Sequence, residues 1–204
     1  MALSPANLLG LLGELNEALS LEEAAPGAWV VCGGTALILR GLGDRATRDV
    51  DVIGAWNPAE GRIIRIGEFA EATERAIASV AAAHPELRTL GALWVNLGPQ
   101  EILRFGLPSG CVDRLMRLEI GDRLTLYVLA RSDLIALKVY AAADDMGARQ
   151  TVHADDLVSL APTADEIAVA VAWVCSHPDP HHRIRPALKR LVEELGHHDI
   201  AYYL

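Results

Sequence analysis

The sequence predicts an α+β fold in which a small mixed β-sheet is followed by a helical C-terminal half. Short apolar or alternating runs at residues 30–32, 50–53 and 124–129 have the length of buried strands. Apolar residues at helical spacing dominate much of the remaining chain, above all residues 131–204. We therefore expect a sheet-containing core with an N-terminal helix at residues 1–130, and a helical subdomain at residues 131–204 packed on that core.

Composition limits the class of protein. The chain has 204 residues, of which 51% are apolar and only 5% aromatic, so a core built from Ala, Leu, Val and Ile is expected. The formal net charge of −9 argues against a protein that coats nucleic acids non-specifically. No apolar run approaches the roughly 18 residues of a membrane span. A secretory signal peptide begins with basic residues, but here no Lys or Arg precedes Arg40. The three cysteines form no C-x-x-C pair. These features predict a cytoplasmic protein.

The N-terminal segment carries a leucine repeat that predicts a helix ending before Pro26. The leucines at helical spacing are Leu8, Leu11, Leu12, Leu15 and Leu19. The expected role of this helix is packing against the core, and the alternative is a surface for a second copy or another partner.

The middle of the chain contains shorter elements. Residues 62–66 are predicted to form either a short strand or the start of a helix over residues 68–84. Residues 90–107 are predicted to form a loop and short helix that cover one edge of the sheet. Apolar or alternating runs at residues 112–119 and 124–129, separated by a Gly-Asp pair, predict a hairpin.

A glycine turn follows the first predicted strand. Gly33 and Gly34 interrupt the apolar run, and Thr35 begins a helical segment that is predicted to extend to Leu42. A glycine turn at a helix N-terminus presents backbone N–H groups and the positive end of the helix dipole, which suits a phosphate group. We expect Gly33, Gly34 and Thr35 to cradle phosphates.

Two carboxylates follow this helical segment. Asp49 and Asp51 are two residues apart and flanked by Val50 and Val52. Because side chains alternate along a strand, both carboxylates are expected to point the same way while the valines enter the core. Beside a phosphate cradle they would form a divalent-metal site for a nucleoside triphosphate. The alternative is a tight turn followed by a strand edge that happens to carry two aspartates.

Lysine is scarce in this chain, which has 16 Arg and only Lys138 and Lys189. Lys138 lies four residues after Leu134 and three before Ala141, inside the apolar stripe of the helix predicted over residues 132–144. A lysine that faces inward needs an anion, and a triphosphate would supply one. The alternative is a packed stem whose ammonium group reaches water.

A turn at residues 145–151 is expected to lead to another group of polar residues. A helix would place His153 and Asp156 on one face, with Asp155 beside them. A transition-metal site is disfavoured, because no further His or Cys ligand is suitably spaced. Asp113 is expected to be a solvated residue near the start of a strand.

The region from Pro162 to the C-terminus is predicted to be helical throughout. Its cluster of basic residues comprises His181, His182, Arg183, Arg185, Lys189 and Arg190. We expect them to form a solvated helix face, and the alternative is a contact with nucleic acid.

The order of these motifs is similar to that of a known superfamily. Gly33-Gly34-Thr35 followed by Asp49-Val50-Asp51 resembles the signature of the DNA polymerase beta-like nucleotidyltransferases, which is Gly-Gly or Gly-Ser, a helix, and Asp-x-Asp. The form Arg-x-Thr-Arg-Asp-Val-Asp at residues 45–51 resembles the minimal nucleotidyltransferases related to AbiEii-type bacterial toxins. In that branch two further residues follow these motifs. The first is a lysine on the helix after the sheet, which corresponds to Lys138 here. The second is an acidic residue before a leucine, which corresponds to Asp156.

The resemblance implies a nucleotidyltransferase core that transfers a nucleoside monophosphate from an NTP to an RNA (tRNA) or protein acceptor, as in the toxin of a toxin–antitoxin pair. It implies Mg²⁺ or Mn²⁺ on Asp49 and Asp51, with Asp156 as base or positioning group. The residues that would contact the nucleotide phosphates are Gly33, Gly34, Thr35, Arg48 and Lys138. His153 stands where the better-known toxins have an aspartate, so Asp113, Asp155 and Asp156 are alternative third carboxylates.

Two other functions fit the same sequence. A binding module would keep Mg²⁺-dependent triphosphate binding without group transfer and would act as a sensor or as a partner of a toxin or antitoxin. A structural interaction protein, suggested by the apolar composition and the leucine-rich first helix, would bind no nucleotide.

Overall fold

The structure, a computed structural model, describes residues 3–144, 152–178 and 183–204 of the chain. The turn expected at residues 145–151, together with His181 and His182, therefore lies outside the described residues. The chain divides into two units, Met1–Ala130 and Arg131–Leu204. In the part that the structure describes, no helix has the length and apolar character needed to span a membrane.

The first unit contains all the strands that the structure describes. Its elements are α1 (Leu8–Leu21), β1 (Gly27–Val31), α2 (Gly33–Leu39), β2 (Val50–Asn57), β3 (Arg62–Ile64), α3 (Glu71–Ala83), β4 (Val95–Asn96), β5 (Met116–Glu119) and β6 (Leu124–Val128). The strand order is β3-β2-β1-β6-β5, and β4 pairs with β2 beside this path. The β1–β6 and β2–β4 pairs are parallel and the others antiparallel, so the predicted mixed sheet is confirmed.

The leucine repeat of α1 forms core, as predicted. All five repeat positions are buried, and the helix packs against α3. Among the central strands, Val30 and Val31 of β1 are fully buried. The burial of these aliphatic side chains is the main favourable contribution to the stability of this unit.

Several elements end or begin elsewhere than predicted, and two of these differences have a clear local cause. Helix α2 ends at Leu39 rather than Leu42, because Gly41 adopts a left-handed conformation (φ +65°) and closes a Schellman motif. In that motif the Gly41 N–H donates to the Ile38 carbonyl (2.9 Å) and the Leu42 N–H to the Leu37 carbonyl (2.9 Å).

The second difference lies at the start of the predicted hairpin, where Cys111–Arg114 form a 3₁₀ turn and strand β5 begins only at Met116. Gly110 (φ +69°) precedes this turn, and its carbonyl accepts the Asp113 N–H at 3.1 Å. The hairpin itself is confirmed, with β5 and β6 antiparallel. The segment predicted as loop and short helix forms the 3₁₀ helices Gly91–Trp94 and Gly98–Phe105, with the two-residue strand β4 between them.

The described part of the second unit is helical, as predicted. Its elements are α4 (Arg131–Asp144), α5 (Val152–Leu160), α6 (Ala164–Cys175), α7 (Ile184–Glu194) and α8 (His198–Ala201). Helix α4 packs against α5, α6 and α7. On α7, Arg185 and Arg190 are exposed and Lys189 is half-buried, so these basic residues lie along a largely solvated face.

The start of α6 is fixed by a capping box and an ion pair. The Glu166 N–H donates to the Thr163 hydroxyl (3.2 Å), and the Thr163 N–H donates to the Glu166 carboxylate (2.9 Å). Arg131 donates to both Glu166 oxygens (2.9 and 3.2 Å) and to the Leu160 carbonyl (2.8 Å). The first turn of α4 is thereby tied to the end of α5 and the start of α6.

Candidate functional site

The glycine turn and Asp51 meet at the end of β1. The antiparallel pairing of β1 with β2 brings Cys32 opposite Asp51, and the Cys32 N–H donates to the Asp51 carbonyl at 2.9 Å. Gly33 has a φ of +64°, and a Cβ atom placed on it would lie 2.0 Å from Asp51 Oδ2 and 2.8 Å from Cγ. Glycine is therefore required at position 33 for its backbone conformation and because the Asp51 carboxylate lies directly against it.

Asp49 is held through its backbone. The Thr35 hydroxyl donates to the Asp49 carbonyl at 2.9 Å, and the Thr47 hydroxyl lies 3.5 Å from the same oxygen. Thr35 is fully buried, and a Cβ atom on Gly34 would lie 2.7 Å from Thr47 Oγ1. The side chain of Thr35 thus positions the loop of Asp49, a role that the sequence interpretation had not assigned to it.

The segment before β2 is also hydrogen-bonded to Leu3. Leu3 and Thr47 exchange two backbone hydrogen bonds, of 2.7 and 2.8 Å. Strand β2 begins only at Val50, so Asp49 lies in a bend before the strand and Asp51 within it. The predicted burial of Val50 and Val52 is confirmed, both carboxylates are half-buried, and Arg48 is exposed.

Sequence reasoning missed Asn96. Strand β4 runs parallel to the start of β2 and places Asn96 in register with Asp51. Its Nδ2 donates to Asp51 Oδ1 at 3.0 Å, and its Oδ1 accepts the Gly98 N–H at 2.8 Å. The local signal is an Asn two residues before a Gly-Pro pair, which is typical of a turn and does not reveal the distant carboxylate.

Lys138 and Asp156 form a buried ion pair within the second unit. Lys138 Nζ lies 2.6 Å from Asp156 Oδ2, and the two side chains are only 7% and 5% exposed. Lys138 therefore faces inward, as predicted, and its side chain is almost completely removed from water. The anion that it contacts in the structure is the carboxylate of Asp156, which joins α4 to α5. A contact of Lys138 with a triphosphate stays a prediction.

The remaining candidate residues differ in exposure. Asp113 lies exposed on the 3₁₀ turn before β5, consistent with a solvated residue. On α5, Asp155 is exposed, His153 is half-buried and Asp156 is buried. Within residues 3–144, 152–178 and 183–204, no group of three or more His, Cys, Asp or Glu side chains is arranged to hold a metal ion.

Comparison with known proteins gives one informative match. No curated protein and no solved structure matches the chain significantly. The profile of the family described as "Nucleotidyltransferase of unknown function (DUF6036)" matches residues 6–160, well over half of the chain. That region includes the glycine turn, both aspartates of the Asp-x-Asp motif, Asn96 and the Lys138–Asp156 pair. A relation to AbiEii-type toxins stays a prediction. The match over residues 6–160 shows that the chain belongs to the family of nucleotidyltransferases of unknown function.

Proposed function

We propose that this nucleotidyltransferase uses Mg²⁺ to transfer a nucleoside monophosphate from an NTP to a hydroxyl group on an RNA or protein acceptor. The observation that carries the proposal is the Asp51 carboxylate lying against the backbone of Gly33. A carboxylate in contact with a glycine turn at a helix N-terminus brings a metal ligand next to the N–H groups suited to phosphate.

The donor set fits Mg²⁺ better than a softer metal. Asp49 and Asp51 offer carboxylate oxygens, and Mg²⁺ is commonly held by one or two carboxylates together with water and substrate phosphates. Mn²⁺ accepts the same ligands. When bound, such an ion would neutralise phosphate charge and stabilise the departing pyrophosphate.

The chain's own residues have separable tasks in this proposal. Asp49 and Asp51 hold the metal, while the backbone of Gly33, Gly34 and Thr35 and the exposed side chain of Arg48 bind phosphate oxygens. The acceptor oxygen forms a bond to the α-phosphorus, the bond from that phosphorus to the bridging oxygen of pyrophosphate breaks, and the acceptor proton passes to a base.

Lys138 and Asp156 complete the assignment. For Lys138 the resemblance implies added positive charge toward the phosphates as the transition state forms. Asp156 already accepts a hydrogen bond from the Lys138 ammonium at 2.6 Å. This contact favours a positioning role for Asp156 over that of the base, because a carboxylate engaged by an ammonium is less available to accept a proton.

The acceptor and the biological role belong to the same proposal. The resemblance of residues 45–51 to AbiEii-type toxins supports a tRNA acceptor and an antitoxin partner. A protein hydroxyl is the alternative acceptor.

The test is label transfer from each α-labelled NTP, with Mg²⁺ or Mn²⁺, to total bacterial RNA and protein. Asp51→Asn should lower transfer by about 100-fold or more, the scale of losing one transition-state electrostatic contact. Asp122→Asn makes the same charge change in the exposed β5–β6 turn and should leave transfer unchanged. Equal transfer by wild type and Asp51→Asn would exclude the mechanism. Metal-dependent NTP binding without transfer to any acceptor would favour a nucleotide-binding module.

A further inference from the structure

The short strand β4 holds a side chain against the metal-binding carboxylate of the proposed function. Its two residues pair with Val50 and Asp51, so Asn96 lies beside Asp51 although 45 positions separate them in the sequence. Asn96 Nδ2 donates to Asp51 Oδ1 at 3.0 Å. The other carboxylate oxygen, Oδ2, is the atom that lies over Gly33.

The orientation of the Asn96 amide is determined by its neighbours. The backbone N–H of Gly98 can only donate, and it lies 2.8 Å from one end of the amide. That end must be the carbonyl oxygen, and the NH₂ end must then face Asp51. The arrangement is matched to an ionised carboxylate, which offers only acceptors.

We propose that Asn96 is a positioning residue for the metal site. It fixes Oδ1 of Asp51 through its amide N–H and so directs Oδ2 toward the glycine turn, where the metal and the phosphates would meet. This inference rests on the proposed function, because it presumes that Asp51 binds the metal. Hydrogen-bonding partners of metal ligands act in this way by orienting the ligand.

Asn57 provides a matched comparison. It lies at the end of β2, the strand that carries Asp51, and its Oδ1 accepts the N–H groups of Ala59 (3.0 Å) and Glu60 (3.3 Å). Its Nδ2 donates to the Glu60 carboxylate at 3.1 Å. Asn57 thus makes the same kinds of hydrogen bond as Asn96, but all within its own turn.

The experiment measures binding of Mn²⁺ alone, by the electron paramagnetic resonance signal of the free ion. The proteins are wild type, Asn96→Ser, Asn57→Ser and Asp51→Asn, each with its melting temperature. Serine retains a hydroxyl that can accept the Gly98 N–H, as in an ST-turn, but is too short to reach Asp51. We expect Asn96→Ser to raise the Kd for Mn²⁺ about tenfold, the lower end of such effects. Asn57→Ser should leave the Kd unchanged.

Each outcome bears on a different statement. If wild type binds Mn²⁺ more tightly than Asp51→Asn, but Asn96→Ser binds it as tightly as Asn57→Ser, the positioning role is wrong and the proposed metal site stands. If wild type binds no more tightly than Asp51→Asn, the metal-dependent function fails and the positioning role fails with it. Should Asn96→Ser not fold, Asn96→Thr makes the same test with a side chain better suited to a strand.

Discussion

At the scale of single residues, the site depends on the absence of a side chain at position 33. Gly33 has no Cβ, and the space that a Cβ would need is taken by the Asp51 carboxylate. Gly61, in the turn between β2 and β3, shares the left-handed backbone, with φ +60°, but a Cβ there would meet nothing within 4 Å. These two glycines allow backbone strain to be separated from the displacement of a carboxylate.

The first prediction compares Gly33→Ala with Gly61→Ala. We expect Gly61→Ala to lower the free energy of unfolding by about 1–2 kcal/mol, the cost of a left-handed non-glycine residue. Gly33→Ala should cost more than this and should abolish label transfer, because the added methyl group displaces Asp51. Urea denaturation and the transfer assay are the measurements. Full transfer activity in Gly33→Ala would contradict the assigned role of this contact.

The predictability of the site also differs residue by residue. The contact between Gly33 and Asp51 was accessible from the sequence, because both residues belong to one short segment whose turn and strand are local features. Asn96 was not accessible, because it reaches Asp51 through a two-residue parallel strand, a pairing that only tertiary structure determines. The inward orientation of Lys138 follows from helical spacing, whereas its partner Asp156 lies on another helix.

At the scale of elements, the Lys138–Asp156 pair joins α4 to α5, and burying its two charges costs desolvation free energy. Two buried ions lose their hydration, and their mutual attraction repays that loss only if the geometry is good. Such a pair is weak evidence for a role in stability alone. Its stability and activity contributions can be separated by removing one partner or both.

The second prediction concerns this pair. Lys138→Met leaves the Asp156 carboxylate buried without its ammonium, and should lower the free energy of unfolding by about 3–5 kcal/mol. The double variant Lys138→Met/Asp156→Leu should recover most of that loss, because it removes both charges. If the pair serves catalysis, the double variant stays inactive in label transfer although folded. Recovery of activity together with stability would show that the pair is structural.

The ends of elements were the least predictable part of the fold. Helix α2 stops at Leu39 because Gly41 closes a Schellman motif, and a glycine near a helix end does not by itself fix the residue at which the helix stops. Residues 112–114 were included in the alternating run that predicts a strand, yet the turn that follows Gly110 takes them out of the sheet. The helix assignments themselves depended on longer periodic patterns and the strand assignments on short runs of apolar residues, and both the sheet and the helical second half were confirmed.

At the scale of the whole molecule, acid should destabilise the protein through two groups of the second unit. Burial lowers the pKa of His177, whose ring lies edge-on to Trp173 at 4.4 Å between centroids. The Arg131 hydrogen bonds, opposed in part by burial, lower the pKa of Glu166. In both cases the unfolded chain binds more protons than the folded one as the pH falls, so folding stability declines toward acid.

The third prediction separates these two groups by pH. The His177 contribution is present above its ordinary pKa of 6.5 and declines as the pH falls below that value. The Glu166 contribution declines only below its ordinary value of 4.5, as the pH falls toward the lowered folded value. Thermal unfolding between pH 7.5 and 5.5 should show a slope that His177→Gln reduces. His198→Gln, at an exposed position on α8, should leave that slope unchanged. An unaltered slope in His177→Gln would contradict the assignment.

The backbone pairing of Leu3 with Thr47 has a practical consequence for purification. Thr47 contacts the backbone carbonyl of Asp49, so Leu3 acts as a brace for the segment that carries the Asp49 carboxylate, more than 40 positions further along the chain. An affinity tag fused directly ahead of Leu3, or a protease scar left there, can strain that brace. Biochemical assays of this protein are better served by a tag placed after Leu204.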